Sequence, residues 1–288
     1  MLNTIIIIFI IASLLILVFY HRNKIKKTSR INKQLKSIGL NLQLKKLLLT
    51  IQQQRGLCSR YKNGETSLVK DIVNNLKITE TTIYNLEYQF SEFLNNDTRW
   101  MTIRNDWVNL RHNMLEIDEE NSFTNHSLVI ENIIFLIGSV AHKGQNDLQR
   151  SISDDEINVI WENIPQTLEA VGKTRAIGCA VATSGICSHA NKIKLKALSN
   201  EITRNFNIIS NQLNKNSPNE ETIEVTIKIS QVIDNFIEMV RGSLIVAKTP
   251  EINADPFFRQ ATDAMEGISQ LFDKMSSIKA HQIERTLY

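Results

Sequence analysis

Residues 157–185 read INVIWENIPQTLEAVGKTRAIGCAVATSG, and this stretch decides the fold class. Within it Ile157, Trp161, Ile164, Leu168, Val171, Arg175, Gly178, Ala182 and Gly185 recur at steps alternating four and three. That is one continuous stripe over about eight turns of helix. Outward from it the same spacing predicts helix nearly throughout, over about 30–62, 66–95, 98–116, 122–149, 154–184, 186–214, 218–247 and 256–286. Turn chemistry separates these segments at Asn63-Gly64, Asn95-Asn96-Asp97, Asp118–Asn121, Gly144-Gln145-Asn146, Ser184-Gly185, Lys215–Pro218 and Thr249–Pro256. Ser153 with Glu156, and Ser217 with Glu220, have capping-box spacing. Asp255 before Pro256 predicts a cap followed by a first-turn proline.

Composition agrees. Ten Gly and four Pro in 288 residues are too few for the tight turns of a β-sandwich or a doubly wound sheet. A hydrophobic fraction of 42% excludes general disorder. Three cysteines with no C-x-x-C exclude a disulfide scaffold and a structural zinc site.

The net charge of +3 hides a division: residues 1–64 hold 12 of the 33 Lys and Arg and none of the 30 acids. The first segment is therefore basic and the remainder acidic, which suits a membrane-proximal arm on an acidic body better than a nucleic-acid binder. Ile5 to Tyr20 is an uncharged apolar run, long enough as helix to cross a bilayer. Arg22, Lys24, Lys26, Lys27 and Arg30 follow it, and positive charge beside a span stays on the cytoplasmic side. The expected organisation is a transmembrane anchor at 1–21, a basic juxtamembrane linker at 22–34 and a helical domain at 35–286. The expected fold is all-α: the N-terminal transmembrane helix followed by eight long helices forming two antiparallel four-helix bundles.

Three arginines stand where a core residue belongs. Arg55 continues the stripe Leu44, Leu47, Leu48, Ile51; Arg175 follows Leu168 and Val171; Arg241 follows Ile233 and Ile237. Each has a glycine within three residues: Gly56, Gly178 and Gly242. A guanidinium in a helix–helix core needs an anionic partner or water, and no carboxylate lies on these stripes. An external anion is the economical partner, because the planar fork of Arg matches a trigonal oxyanion bidentately. The glycines are expected to allow close helix approach, and Thr174 to supply a hydroxyl.

The stretch Gln52-Gln53-Gln54-Arg55-Gly56-Leu57-Cys58-Ser59 resembles the Leu-Gln-x-Glu-Arg-Gly-x-Ser signature of the nitrate- and nitrite-sensing (NIT) domain family. Val171-Gly172-Lys173-Thr174-Arg175-Ala176-Ile177-Gly178 is similar to that family's second helix motif, Ile-Gly-x-x-Arg-x-x-Gly. The segment from Asn121 through His126 resembles its central part, and Met239-Val240-Arg241-Gly242 stands where the family has a further Arg-bearing helix. The resemblance covers about residues 35–285. It implies two four-helix bundles with nitrate or nitrite held between them by helix-borne arginines, here Arg55, Arg175 and Arg241, with Gly56, Thr174, Gly178 and Gly242 as neighbours. Gln54 departs from the charged residue common beside the first Arg.

No stretch resembles the response module that family members carry, so the expected output runs through a separate, unidentified signalling protein, with homodimerisation left open. Gly172-Lys173-Thr174 ends like a P-loop, but Thr167 replaces the required earlier glycine and the setting is mid-helix. No histidine spacing suits a metal and no catalytic constellation is recognisable. The chain is thus expected to be a nitrate or nitrite sensor of the bacterial inner membrane with its body in the cytoplasm, not an enzyme, without cofactor and without nucleic acid. The alternative is a membrane-tethered helical adaptor that no longer binds a ligand.

Overall fold

The computed structural model describes residues 2–145, 157–216, 220–247, 249–250 and 252–286; the side chains of 2–8, 10–12, 145 and 216 lie outside that description. Among the described residues the structure is helical, with no strand. The elements are α1 (Leu2–Lys62), α2 (Val69–Gln89), a short α3 (Ser91–Leu94), α4 (Thr98–Asn113), α5 (Glu119–Gln145), α6 (Ile164–Ser184), α7 (His189–Asn216), α8 (Glu220–Met239) and α9 (Ala254–Arg285). Helix α1 is unbroken, so the described part of the segment expected as an anchor, the basic segment 22–34 and the first predicted body helix are one rod.

Helices α1, α2, α4 and α5 form one group. Leu44, Leu47, Leu48 and Ile51 of α1 are fully buried, as are Ile130, Ile133 and Ile137 of α5. Between α2 and α4 the contact is half polar: Trp107 Nε1 donates to Glu80 (2.6 Å), and Arg104 pairs with Glu87 (2.8 Å). Helices α6 to α9 form the second group around Leu168, Ile202, Phe236, Ile268 and Leu271. The groups meet where α1 lies against α6 and α9. There the buried Lys45 of α1 donates to both carboxylate oxygens of Asp273 (2.8 Å) and to Ser269 Oγ (2.9 Å). Trp161 packs edge-on against Phe272 at 5.3 Å.

Several boundaries differ from expectation. The predicted helix 66–95 breaks at Phe90 (φ −125°), whose ring packs beside Gly39. Asp97, in an expected turn, caps α4 by accepting from the Arg99 and Trp100 amides. Helix α9 begins after Asn253, so Asp255 lies inside the first turn and is not the cap. Single π-helical turns, Val159–Asn163 and Val240–Val246, precede α6 and follow α8. The caps expected at Ser153 and Ser217 lie outside the described residues. Gly64 (φ 107°) and Gly185 (φ 67°) take left-handed conformations that end α1 and α6 where the sequence placed the breaks.

Among the described residues, Glu119–Gly144 of α5 is long and apolar enough to cross a membrane by length and composition, but more than half of its most apolar stretch is buried in the core. The anchor expected at 1–21 falls largely on side chains outside the description. Of its described residues, Phe9 and Leu14 to Tyr20 are exposed.

Candidate functional site

The junction of the two helix groups holds two different arginine environments, one turn apart along α6. The inner one is buried. Arg55 is 2% exposed, and its fork meets the Glu169 carboxylate end-on, Nη1 to Oε1 at 2.6 Å and Nη2 to Oε2 at 3.1 Å. Arg55 Nη1 also donates to Ser127 Oγ (2.8 Å), while Gln52 Nε2 donates to Glu169 Oε2 (2.7 Å). Phe123 stacks on the guanidinium at 5.1 Å. Arg55 Nε remains buried without a partner among the described residues. This packing depends on Gly172: a Cβ there would stand 2.9 Å from Gln52 Nε2 and 3.1 Å from Arg55 Nη2. Next to it His126 is buried, with Nδ1 donating to the Ser122 carbonyl (2.7 Å), and burial pushes its imidazole down to about 4.

The outer environment is a cleft of about 730 Å³ between α1, α2, α6 and α9. Arg175 lines it from α6, half-buried, with Nη1 donating to Thr262 Oγ1 (3.2 Å) and the guanidinium stacked on Phe258 at 5.0 Å. Among the described residues no carboxylate pairs with Arg175. Burial pushes it down to about 10, with the nearby charge of Arg55 acting in the same direction. Gly56 leaves the α1 wall open, because nothing stands within 4 Å of where its Cβ would be. Arg60, one turn on from Gly56, also lines the cleft but is already paired with Glu65 through both Nε and Nη2. Asp71 of α2 and Glu266 of α9 bring negative charge to the same cleft.

The seven residues expected at the site therefore separate. Gly56 and Arg175 are brought together in the cleft. Arg55 is adjacent but has an internal carboxylate partner, where an external anion was expected. Arg241 and Gly242 are exposed on the π-helical turn after α8 and do not line the cleft: Phe236, Val240 and Leu244 carry the buried arc, and Arg241 falls outside it. Thr174 is buried, and its hydroxyl donates to the Ala170 carbonyl (2.7 Å), so Thr262 supplies the hydroxyl that was expected of it. Gly178 does permit close approach: the Phe257 ring fills the space its Cβ would take.

Glu169, Arg60, Ser127 and Thr262 were not found by the stripe reading. Glu169 lies one position off the stripe, and its signal was Gly172 three residues later, on the same side of the helix.

What the fold and site define is an all-helical protein with a cleft between two helix groups that is lined by both arginines and carboxylates. Its structure superposes on the structure of the NasR transcription antiterminator with a TM-score of 0.69 and 13% identity, over 94% of this chain and 75% of that one. At that identity the likeness is one of fold. No family model matches the sequence, and no curated protein matches it.

Proposed function

We propose that this chain is a small-anion sensor that binds nitrate or nitrite in the cleft between its two helix groups and signals to a separate protein. The observation that carries the reading is Arg175: a half-buried cation lining the cleft whose guanidinium meets the Thr262 hydroxyl and the Phe258 ring and, among the described residues, pairs with no carboxylate. A planar oxyanion would satisfy its free donors and offset the cost of its burial. The shared fold with a transcription antiterminator and the motifs around Arg55 and Arg175 support the same reading. Ligand bound between α1 and α6 would favour one spacing of the two groups over another. The exposed apolar face of α1 at Leu14–Tyr20, followed by exposed cations from Arg22 to Arg30, supports a span at 1–21 in a bacterial inner membrane with the body in the cytoplasm. A reporter that works only when exported, fused after Tyr288, tests that side: activity there overturns it.

The binding test is thermal unfolding of the full chain in detergent micelles with nitrate, nitrite, chloride or sulfate. At one hundred times its dissociation constant a ligand adds about 2.7 kcal/mol. Stabilisation by nitrate or nitrite alone, lost in Arg175→Ala, supports the proposal; no selective shift, or the same shift in the variant, refutes it.

One observation favours the adaptor reading. Arg55 already has a carboxylate and Arg241 is exposed, so two of the three arginines need no ligand. Under that reading the four salts act alike.

A further inference from the structure

The pairing of Arg55 has the geometry of a ligand site with its ligand attached. Two terminal nitrogens of one guanidinium hold two oxygens of one carboxylate, a serine hydroxyl braces the guanidinium, and a glutamine amide donates to the second oxygen. All four side chains are buried. Phe123 covers the flat face of the guanidinium, and Gly172 keeps the α6 backbone clear of the donors. Such a cradle recognises the planar O–X–O unit, not glutamate as such, and the same unit is presented by formate or nitrite. The fork is also not saturated, since Nε of Arg55 lacks a partner among the described residues.

We infer that Glu169 is a tethered occupant of a small-oxyanion site built by Arg55, Ser127 and Gln52, which it keeps shut to free anions in the intact chain. Removing the carboxymethyl group opens a site of that size for a free planar anion of one central atom, with formate as the closest replacement. Lys173, 3.9 Å from Glu169 and 2.6 Å from Glu131, stands at the edge of this site as a second cation. The inference does not rest on ligand binding at Arg175, and Arg175 stays unchanged in its test.

The test is anion rescue of Glu169→Ala in the full chain in detergent micelles. Thermal unfolding is followed with formate, nitrite, nitrate, acetate, chloride or sulfate at equal ionic strength. Glu169→Ala is expected to be destabilised in chloride and to recover in formate or nitrite by about 3 °C or more beyond its shift in chloride. Glu169→Ala should gain more from formate than the unmodified chain does, and Arg55→Met/Glu169→Ala should gain no more than the unmodified chain. Should Glu169→Ala be unfolded in chloride, the readout becomes return of its helical circular dichroism on adding formate. Equal effects of formate and chloride, the same formate shift in the unmodified chain, rescue that survives loss of Arg55, or no return of helix would each overturn the inference. A nitrate shift lost in Arg175→Ala but unaffected by Glu169→Ala concerns the cleft alone, so the two proposals fail separately.

Discussion

Replacing Gly178 by alanine adds one carbon at a place where the structure has none to spare. A Cβ built on Gly178 lies 2.2 Å from Phe257 Cζ, 2.3 Å from Cε1 and 3.2 Å from Leu244 Cδ1. Ordinary contact begins near 3.4 Å, so the ring must retreat by about 1 Å. It has little room: Phe257 is fully buried and stands 5.7 Å from Phe236. Overpacking of this kind costs about 1–3 kcal/mol, and overlap with two ring atoms and a leucine places it at the upper end. Alanine recovers about 1 kcal/mol of helix propensity, leaving a net loss of about 2 kcal/mol. For a chain of this size that lowers the midpoint of thermal unfolding by about 4–8 °C, read by circular dichroism at 222 nm (about the helix band). Gly56→Ala is the control, because nothing lies within 4 Å of the new carbon, and it should gain about 0.5–1 kcal/mol. If Gly178→Ala matched the unmodified chain while Gly56→Ala gained, Phe257 could not be seated against the α6 backbone.

Four other outcomes are expected. Arg55→Met or Glu169→Gln, each leaving a buried charge alone, should cost about 3–5 kcal/mol by urea unfolding, and Arg55→Met/Glu169→Leu should regain most of it; additive losses in the double variant would contradict the pairing. Burial depresses the imidazole of His126 to about 4 against 6.5 unperturbed, so as pH falls the unfolded chain takes up the proton first. Stability of about 3 kcal/mol from this source, full above pH 6.5, is then lost between pH 6.5 and 4, and His126→Gln should flatten that part of the profile. Burial raises the Cys58 thiol to about 11, so an alkylating reagent at pH 8 should modify the less buried Cys187 first; equal rates would contradict the packing. Phe257→Ala should cost about 3–5 kcal/mol by urea unfolding, and a smaller loss would mean that α9 closes the gap.

The helices were legible because their stripes are long and their stops are chemical. Asn63-Gly64 and Ser184-Gly185 end α1 and α6 with glycines at positive φ, as their residue types require. The π-helical turns were not legible, because one extra residue in a turn leaves composition unchanged and only shifts phase. Arg241 reads as a core residue because it follows Ile237 by four, yet Phe236, Val240 and Leu244 carry the buried arc and leave it exposed. The site was half legible. Arg175 follows from an arginine on a buried face, and Gly56 from the glycine beside Arg55. Glu169 did not follow, since reading each helix by its own stripe cannot show which side chain a neighbouring helix brings across. Thr262 and Phe258 sit on α9, nearly ninety positions from Arg175, and no local pattern connects them.

Helix α1 runs without a break from Leu2 to Lys62, about 90 Å of rod, and carries one wall of the cleft near its far end. Gly56 lies about 80 Å from the opposite tip. A tilt of only about 3° at the cleft swings that tip sideways by about 4 Å, close to the width of a side chain. With no hinge between them, a lever of this length makes motion at one end a displacement at the other, whatever partner is stationed there to feel it.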